Sequence, residues 1–324
     1  MSGNSTASRF PTTAPFAISA KTISRRQTTS RPVAWPWKAA GRRMDVRYAQ
    51  GCDLDGQSTA GIAEAVSIAR DCDVAIVFAG NGKATEGEGR DRCCLDLPGV
   101  QEQLICAIAA TRTPVIVVLI GGGAITMERW IDRVRGLLMA WYPGEEGGTA
   151  IADILFGKTV PGGKLPITFP RKTGQLPYSC DSRSSGRKYD YLDLRGRQEL
   201  FPFGFGLSYV RFSYCRLNVT PRKVSDAATV SVDVGNRGTC AAEEVVQLYL
   251  CAGNVLPLQP LRRLIAFRRV RIPAGATKTI KFTLGRRELS TLDTDMQWRM
   301  QPGNYQILAG GNSRDCKSAR FRIA

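Results

Sequence analysis

The sequence predicts an α/β domain followed by an all-β domain, and three observations support this fold class. Between residues 45 and 177, apolar runs of strand length alternate with segments of helical periodicity. From about residue 209 onward, short strand-like runs follow one another, separated by turns rich in Gly, Pro and Asn. The chain has 324 residues, which is enough for two domains of ordinary size. We therefore predict a doubly wound, mostly parallel sheet and then a sandwich of immunoglobulin-like size.

The elements of the α/β domain follow from hydrophobic periodicity. Apolar residues three and four apart predict helices, and β-branched runs bounded by Pro or Gly predict strands. Helices are expected at 59–69, 100–110, 125–130 and 149–156, and strands at 73–78, 114–120, 136–141 and 163–169. Because strand and helix alternate with short connections, the strands are expected to run parallel.

The second domain is predicted from alternating strand-like runs. These runs lie at 228–234, 245–250, 264–270, 277–284 and 305–308, and turn signals lie at 235–238, 273–275 and 301–304. Short strands at this spacing are typical of an antiparallel sandwich. The predicted boundaries are therefore 45–177 for the α/β domain, 178–208 for a linker rich in Ser, Arg, Tyr and Gly, and 209–324 for the sandwich.

The formal charge of +17 is concentrated in two parts of the chain. Residues 1–44 contain basic residues and no acidic residue, and their Ser/Thr/Arg-rich composition predicts either a disordered tail or an organelle-targeting segment, which leaves the localisation open. The arginines between 262 and 287 lie within strand-like alternation, where a solvent-exposed face is expected. Only Phe267 and Phe282 lie among them, too few for a base-stacking platform, so we predict no nucleic-acid partner.

No apolar run approaches the roughly 18 residues of a membrane-spanning helix, so we predict no membrane partner and a soluble chain.

Residue usage excludes several classes of catalyst. The sequence has 10 cysteines and no histidine, which excludes Ser-His-Asp and Cys-His catalysis and most catalytic zinc sites. The cysteines are scattered and form no Cys-x-x-Cys pair. We therefore predict neither a metal nor a cofactor.

One glycine-rich loop carries the candidate chemistry. It follows the predicted strand 73–78 and contains Glu86, Glu88, Asp91 and Arg92. In an open α/β sheet, ligands bind at loops that leave the carboxyl ends of the strands. Either glutamate can act there as a general acid, whereas Asp91 and Arg92 are interpreted as residues that structure the loop.

Seven segments together resemble glycoside hydrolase family 3, in the part downstream of its catalytic barrel. They are 48–52, 86–99, 141–150, 153–157, 161–170, 189–192 and 200–209. The resemblance covers roughly residues 45–324 in the order of the family. It looks closest to the β-glucosidase and β-xylosidase branches, which carry a fibronectin type III-like domain at the carboxyl terminus. It thus implies that the predicted sandwich is such a domain.

The resemblance implies retaining hydrolysis of an O-glycosidic bond in a β-linked oligosaccharide or glycoside. In the family, an aspartate on an N-terminal (β/α)8 barrel is the nucleophile, and a glutamate of the α/β domain is the acid/base. Such mechanisms need two carboxyl groups about 5–5.5 Å apart. Counting back from Asp91 and Arg92, Glu88 takes the acid/base position, and Glu86 is the alternative.

The sequence departs from the family at its beginning. Only 44 unassigned residues precede the first matching segment, compared with the roughly 250 of a (β/α)8 barrel. The expectation is that the chain supplies the acid/base but not the nucleophile, and that it has little activity alone. Three explanations are open: the sequence is a truncated gene model, it acts with a separately encoded barrel as its partner, or it is a degenerate paralogue. One alternative is a non-catalytic carbohydrate-binding or scaffold module derived from such an enzyme. Another is a basic interaction protein that uses its arginine-rich strands and whose binding falls steeply with salt.

Overall fold

A computed structural model describes residues 45–179, 199–252 and 260–324. The segment 1–44 and the motif 189–192 lie outside the described residues. The chain divides into two compact units, residues 1–156 and 157–324. No helix among the described residues is long and apolar enough to cross a membrane.

The first unit contains one parallel sheet with helices between its strands. The strands are β1 (Ala75–Gly80), β2 (Val115–Ile120) and β3 (Gly136–Trp141), and the helices are α1 (Ile62–Arg70), α2 (Gln101–Ala109) and α3 (Gly147–Leu155), with a 3-10 turn at Ile131–Arg133. The sheet order is β1-β2-β3, and both pairings are parallel. The parallel sheet and the alternating helices confirm the predicted α/β class.

The middle strand explains why this sheet is stable. Val117, Val118 and Leu119 of β2 have no exposed surface. A strand that is buried on both faces reads as a continuous apolar run, as this one does, rather than as an alternating pattern. At roughly 1.5–3 kcal/mol for each fully buried aliphatic side chain, these three residues alone stabilise the unit substantially.

The helix predicted at 125–130 is wrong. In its place, the backbone N–H of Thr126 donates to the carbonyl oxygen of Leu95 at 2.9 Å, and the Thr126 hydroxyl binds Asp96. These bonds attach the start of the segment to the loop before α2, and only a single turn follows, in which the Trp130 and Ile131 N–H groups donate to the Met127 carbonyl oxygen. Ile125 and Trp130 are fully buried, which accounts for the apolar residues that suggested a helix.

The strand predicted at 163–169 is also wrong, although the segment does pair. Leu165 exchanges hydrogen bonds with Gly204 and Phe205, and Phe169 forms an isolated bridge with Phe201. Pro166 lies between these two contacts and has no N–H to donate. The ladder is therefore interrupted, and no strand is formed.

The second unit is built almost entirely of strands. They are β4 (Phe212–Thr220), β5 (Lys223–Val224), β6 (Ala228–Asn236), β7 (Ala242–Ala252), β8 (Arg263–Ile272), β9 (Thr277–Leu284), β10 (Thr291–Leu292), β11 (Trp298–Arg299), β12 (Gly303–Gly310) and β13 (Cys316–Ile323), with the short helix α4 (Arg286–Leu289) and a 3-10 turn at Thr173–Gln175. A five-stranded sheet has the order β5-β13-β12-β7-β8, a three-stranded sheet has the order β4-β6-β9, and β10 pairs with β11.

The two larger sheets enclose one apolar core. In β9, Ile280, Phe282 and Leu284 are buried, and the residues between them are exposed. This period of two is the pattern of a strand with one face in the core and one in solvent. All pairings in the larger sheets are antiparallel except that of β13 with the two-residue β5. The all-β class predicted for this part is confirmed.

A buried ion pair joins segment 161–170 to the sandwich. Lys164 Nζ lies 3.1 Å from Glu244 Oε1, and the two side chains are only 13% and 4% exposed. The Tyr214 hydroxyl donates to the same oxygen at 2.9 Å. Burial raises the pKa of Tyr214 far above its usual range, and the charge and hydrogen bond of Glu244 add to this effect. Lys164 Nζ also donates to the Gly206 carbonyl oxygen at 3.0 Å, so the pair is well satisfied.

Candidate active site

The candidate loop starts from a rigid point at the carboxyl end of β1. Gly80 ends this strand with φ +155°, and a Cβ here would lie 1.8 Å from the Ile120 carbonyl oxygen, so no larger residue fits. The buried Gln101 side chain accepts from the Gly80 N–H and donates to the Gly80 carbonyl, both at 2.8 Å. It also donates to the carbonyl oxygen of Leu54 at 2.6 Å. Helix α2 therefore holds the last residue of β1 through both of its backbone groups.

Glu86 is the most connected side chain of the loop. Its Oε1 accepts a hydrogen bond from Asn81 Nδ2 at 2.9 Å and lies 3.7 Å from Arg92 Nη2. Its Oε2 accepts from the Gly122 backbone N–H at 2.6 Å and from the Tyr142 hydroxyl. The side chain is only 14% exposed. Both carboxylate oxygens are therefore occupied, and three of the four partners can only donate.

These partners come from the carboxyl ends of all three strands. Asn81 directly follows β1, Gly122 follows β2, and Tyr142 follows β3. Trp141, the last residue of β3, has a left-handed φ of +54°, which is rare for a bulky side chain and bends the chain ahead of Tyr142. Glu86 thus contacts residues that follow all three strands. These residues lie at the edge of the sheet where a parallel α/β domain is expected to bind ligands.

The other three predicted site residues lie around this cluster in different environments. Arg92 is largely buried and contacts Glu86. Glu88 and Asp91 are exposed, and neither makes a side-chain hydrogen bond or ion pair with another described residue. Gly89, between them, has φ +72°, a conformation that favours glycine. The loop therefore has one anchored carboxylate, Glu86, and two unpaired carboxylates, Glu88 and Asp91.

Asn81 and Tyr142 bind Glu86, and the sequence alone did not predict either residue as part of the site. Each stands one position beyond a strand whose end was predicted to within two residues. Since the carboxyl ends of parallel strands meet at one edge of a sheet, the residues just after each strand were the available signal. Asn81 has one more notable feature, because its Oδ1 is buried and finds no hydrogen-bond donor among the described residues.

The contact between Tyr142 and Glu86 can be measured by titration. Partial burial raises the pKa of Tyr142 to about 12, the hydrogen bond and negative charge of Glu86 add to the increase, and Arg92 opposes it. A phenolate beside a carboxylate is disfavoured, so removal of that carboxylate favours ionisation. We expect the pKa of Tyr142 to fall in Glu86→Gln and to stay unchanged in Glu88→Gln.

The measurement is the phenolate absorbance as a function of pH, with the Tyr142→Phe titration subtracted so that one tyrosine is followed. The matched Glu88→Gln variant has the same formal charge as Glu86→Gln and differs only in the position of the change. An equal decrease of the pKa in both variants would show that net charge, and not this contact, sets its value.

The fold and the loop together define a class of protein: an α/β domain with an acidic loop at the carboxyl edge of a parallel sheet, followed in the chain by a β-sandwich. Sequence comparison agrees with this class. Residues 4–209 match the glycosyl hydrolase family 3 C-terminal domain, and residues 244–313 match a fibronectin type III-like domain. The chain therefore belongs to glycoside hydrolase family 3. The first match begins within the segment that was predicted as a tail.

Similar proteins are β-glycosidases by name. A β-xylosidase of Formosa agariphila is 39% identical over 295 residues, which cover 88% of this chain and 40% of that protein. A thermostable β-glucosidase B of Acetivibrio thermocellus is 38% identical, over 86% of this chain and 39% of its own length. Among solved structures, a β-glucosidase from Erythrobacter marinus has a TM-score of 0.76 at 35% identity and covers 81% of this chain and 36% of that one.

The chain spans about two fifths of the length of the curated relatives that it matches. The described residues contain the α/β domain and the sandwich, and no (β/α)8 barrel is present among them.

Proposed function

We propose that this chain supplies the acid/base glutamate of a retaining β-glycosidase that acts on β-glucosides or β-xylosides. The nucleophilic carboxylate is supplied by a (β/α)8 barrel outside the described residues. Membership of family 3 and the names of the relatives support the reaction class. The position of the acidic loop at the carboxyl edge of the parallel sheet is the structural observation that carries the proposal.

Glu88 is the proposed acid/base because it is unpaired and, unlike the equally unpaired Asp91, stands at the acid/base position that the family resemblance implies. A general acid has to reach the leaving oxygen of the substrate and carry a proton to it. The Glu88 carboxyl group is exposed and makes no hydrogen bond or ion pair with the described residues, so substrate can approach it. It also keeps the spacing of three residues to Asp91 on which the family resemblance depends.

Glu86 is the alternative, and its surroundings favour a positioning role. A protonated carboxyl group needs an acceptor for its own proton, yet of the four partners only the Tyr142 hydroxyl can accept, because Asn81 Nδ2, the Gly122 N–H and Arg92 can only donate. Breaking these contacts to protonate a substrate would release the loop from the ends of β1 and β2. We therefore assign Glu86 to holding the loop and Glu88 to proton transfer.

Joining the chain to a barrel tests the function. The barrel of the Formosa agariphila relative, fused before this chain, is expected to hydrolyse an aryl β-xyloside or β-glucoside, whereas either part alone is not, because each has one carboxyl group of the pair. Hydrolysis is followed by release of the phenol. The relative's own full-length enzyme serves as the positive control.

Two outcomes would count against the proposal. Binding of β-linked oligosaccharide without cleavage by the folded fusion would favour the non-catalytic carbohydrate-binding module. Hydrolysis by this chain alone would show that its nucleophile lies within these residues.

A further inference from the structure

Two exposed thiols stand side by side in the acidic loop. Cys93 and Cys94 directly follow Arg92, and both are exposed. Neither thiol makes a hydrogen bond with another described residue. The Cys316 thiol, in contrast, donates to a backbone carbonyl oxygen at 3.0 Å, and burial raises its pKa to about 12. The adjacent pair in the loop is therefore accessible to solvent and has no structural contact to lose.

The other cysteines of the described residues differ from this pair in their surroundings. The thiolate is the form that reacts in disulfide exchange, and a thiol buried in apolar surroundings is inert. Burial raises the pKa of Cys52 to about 11, so this thiol stays protonated near neutral pH. Cys240 is exposed, but it has no second cysteine next to it in the chain. Among the described residues, only Cys93 and Cys94 combine exposure with an adjacent thiol.

The backbone around the pair is held on both sides and is free between them. On one side, Arg92 Nη2 lies 3.7 Å from Glu86 Oε1. On the other side, the Leu95 carbonyl oxygen accepts a backbone hydrogen bond at 2.9 Å. Cys93 and Cys94 make no backbone hydrogen bond with the described residues, and the chain bends at Cys93. The peptide between the two cysteines can therefore rotate and bring both sulfur atoms together without breaking a backbone hydrogen bond.

We propose that Cys93 and Cys94 form a modification site that small disulfides, such as oxidised glutathione, oxidise reversibly. The thiolate of one cysteine attacks a sulfur atom of the small disulfide, which gives a mixed disulfide and releases one small thiolate. The neighbouring thiolate then attacks the protein sulfur of the mixed disulfide, so that a bond joins Cys93 to Cys94 and the second small thiolate leaves. The two leaving thiolates take up the protons of the two protein thiols. Two protein thiols are thus oxidised, and one small disulfide is reduced to two thiols.

The adjacency of the two thiols makes the second step fast and the product easy to reduce. Attack by the next residue is intramolecular, so its effective concentration exceeds that of a dilute second molecule of disulfide. Consecutive Cα atoms are about 3.8 Å apart, whereas disulfides usually join Cα atoms about 4.4–6.8 Å apart. The bond is therefore strained, and strained, exposed disulfides are the labile ones. The modification stands directly after Arg92, in the loop that carries Glu86 and Glu88.

The test follows the mass of one tryptic peptide of the full chain. Peptide 93–112 also contains Cys106, so the reference protein carries Cys106→Ser and keeps only the adjacent pair in this peptide. The folded protein is treated with dilute oxidised glutathione, free thiols are blocked in acid, and the peptides are weighed with and without dithiothreitol. The matched variants Cys93→Ser and Cys94→Ser each keep one thiol of the pair. The exposed, single Cys240 is the internal control in every sample.

We expect the pair in the reference protein to lose two hydrogen atoms and to carry at least about tenfold less glutathione than Cys240 does, because the mixed disulfide is resolved by the neighbouring thiol. Dithiothreitol should restore both thiols. Each single variant should retain glutathione on its remaining cysteine, as Cys240 does.

Two results would overturn the proposal. Glutathione that stays on the pair to the same extent as on Cys240 would show that the two thiols react singly. A pair that remains unmodified while Cys240 reacts would show that the loop does not admit the reagent. Because the readout is a mass and not a rate of hydrolysis, neither result depends on the role of Glu88.

Discussion

Replacing Glu88 by Gln, in the chain joined to a family 3 barrel, is expected to lower kcat/KM for an alkyl β-glucoside about 100- to 10,000-fold. An alkoxide is a poor leaving group and needs a proton as the glycosidic bond breaks. A dinitrophenolate leaves without one, so the first step with a dinitrophenyl β-glucoside should change less than about tenfold. The Gln side chain keeps the shape of Glu but can neither donate an acidic proton nor act as a base.

The second half of the reaction gives an independent measurement. The glycosyl-enzyme intermediate is hydrolysed by a water molecule that loses its proton to the same carboxylate. Azide is already an anion and needs no base, so added azide should restore turnover of the dinitrophenyl substrate in Glu88→Gln. The expected product is a glycosyl azide with retained β configuration.

Glu86→Gln is the matched control for this experiment. It lies two residues away, loses the same charge and weakens the contacts to Gly122, Tyr142 and Arg92. We expect a smaller loss, about tenfold, that is the same for alkyl and dinitrophenyl substrates and is not restored by azide, because the loop is loosened and no proton donor is lost. If the dependence on the leaving group and the azide rescue belonged to Glu86→Gln, the assignments of the two glutamates would be reversed.

Glu244→Ala is expected to destabilise the second unit by about 3–5 kcal/mol, because it leaves the buried Lys164 ammonium without its partner. For a unit of this size, such a loss corresponds to a decrease in Tm of about 10 °C. The Tyr214 hydroxyl would lose its acceptor as well. Thermal unfolding followed by circular dichroism measures the change.

The adjacent Glu243 provides the control, since successive residues of β7 point to opposite faces of the sheet. Glu243 pairs with Arg269 at 3.2 Å, and both side chains are about half exposed. Its replacement by Ala should cost at most about 1 kcal/mol. An equal decrease in Tm for the two variants would show that the buried Lys164–Glu244 pair stabilises the unit no more than the exposed pair of Glu243 with Arg269 does.

The sequence predicted those elements whose stability is local. The strands at 136–141 and 277–284 have the bounds that were predicted, because Gly and Pro delimit an apolar run or a strict alternation. The fold class followed from the order of such elements. The helix at 125–130 was wrong because its backbone bonds to a distant loop, and no periodicity within the segment carries that information. Strand β13 was not predicted from the sequence. Its only buried side chains are Phe321 and Ile323, and it is formed by pairing with β12 along its whole length.

The candidate site shows the same division between local and tertiary information. Glu86, Glu88, Asp91 and Arg92 were found because they are neighbours in one loop. The anchors of Glu86 were missed because Gly122 and Tyr142 are 36 and 56 residues further along the chain. A motif gives the residues of a site, but the partners that fix the geometry of these residues depend on which strands lie side by side. The assignment of proton transfer to Glu88 stays a prediction.

The order of the strands also bears on how the protein is assembled during synthesis. In the first unit the sheet order β1-β2-β3 is the order of the chain, so each strand can join an edge formed by the strand made just before it. In the second unit, β7 lies between β8 and β12 and needs a partner that begins more than 50 residues later. Non-local pairs of this kind form slowly. The sandwich therefore cannot close until β12 and β13 have left the ribosome. The sheet β1-β2-β3, whose first strand precedes the loop with Glu86 and Glu88, has all its strands much earlier in synthesis.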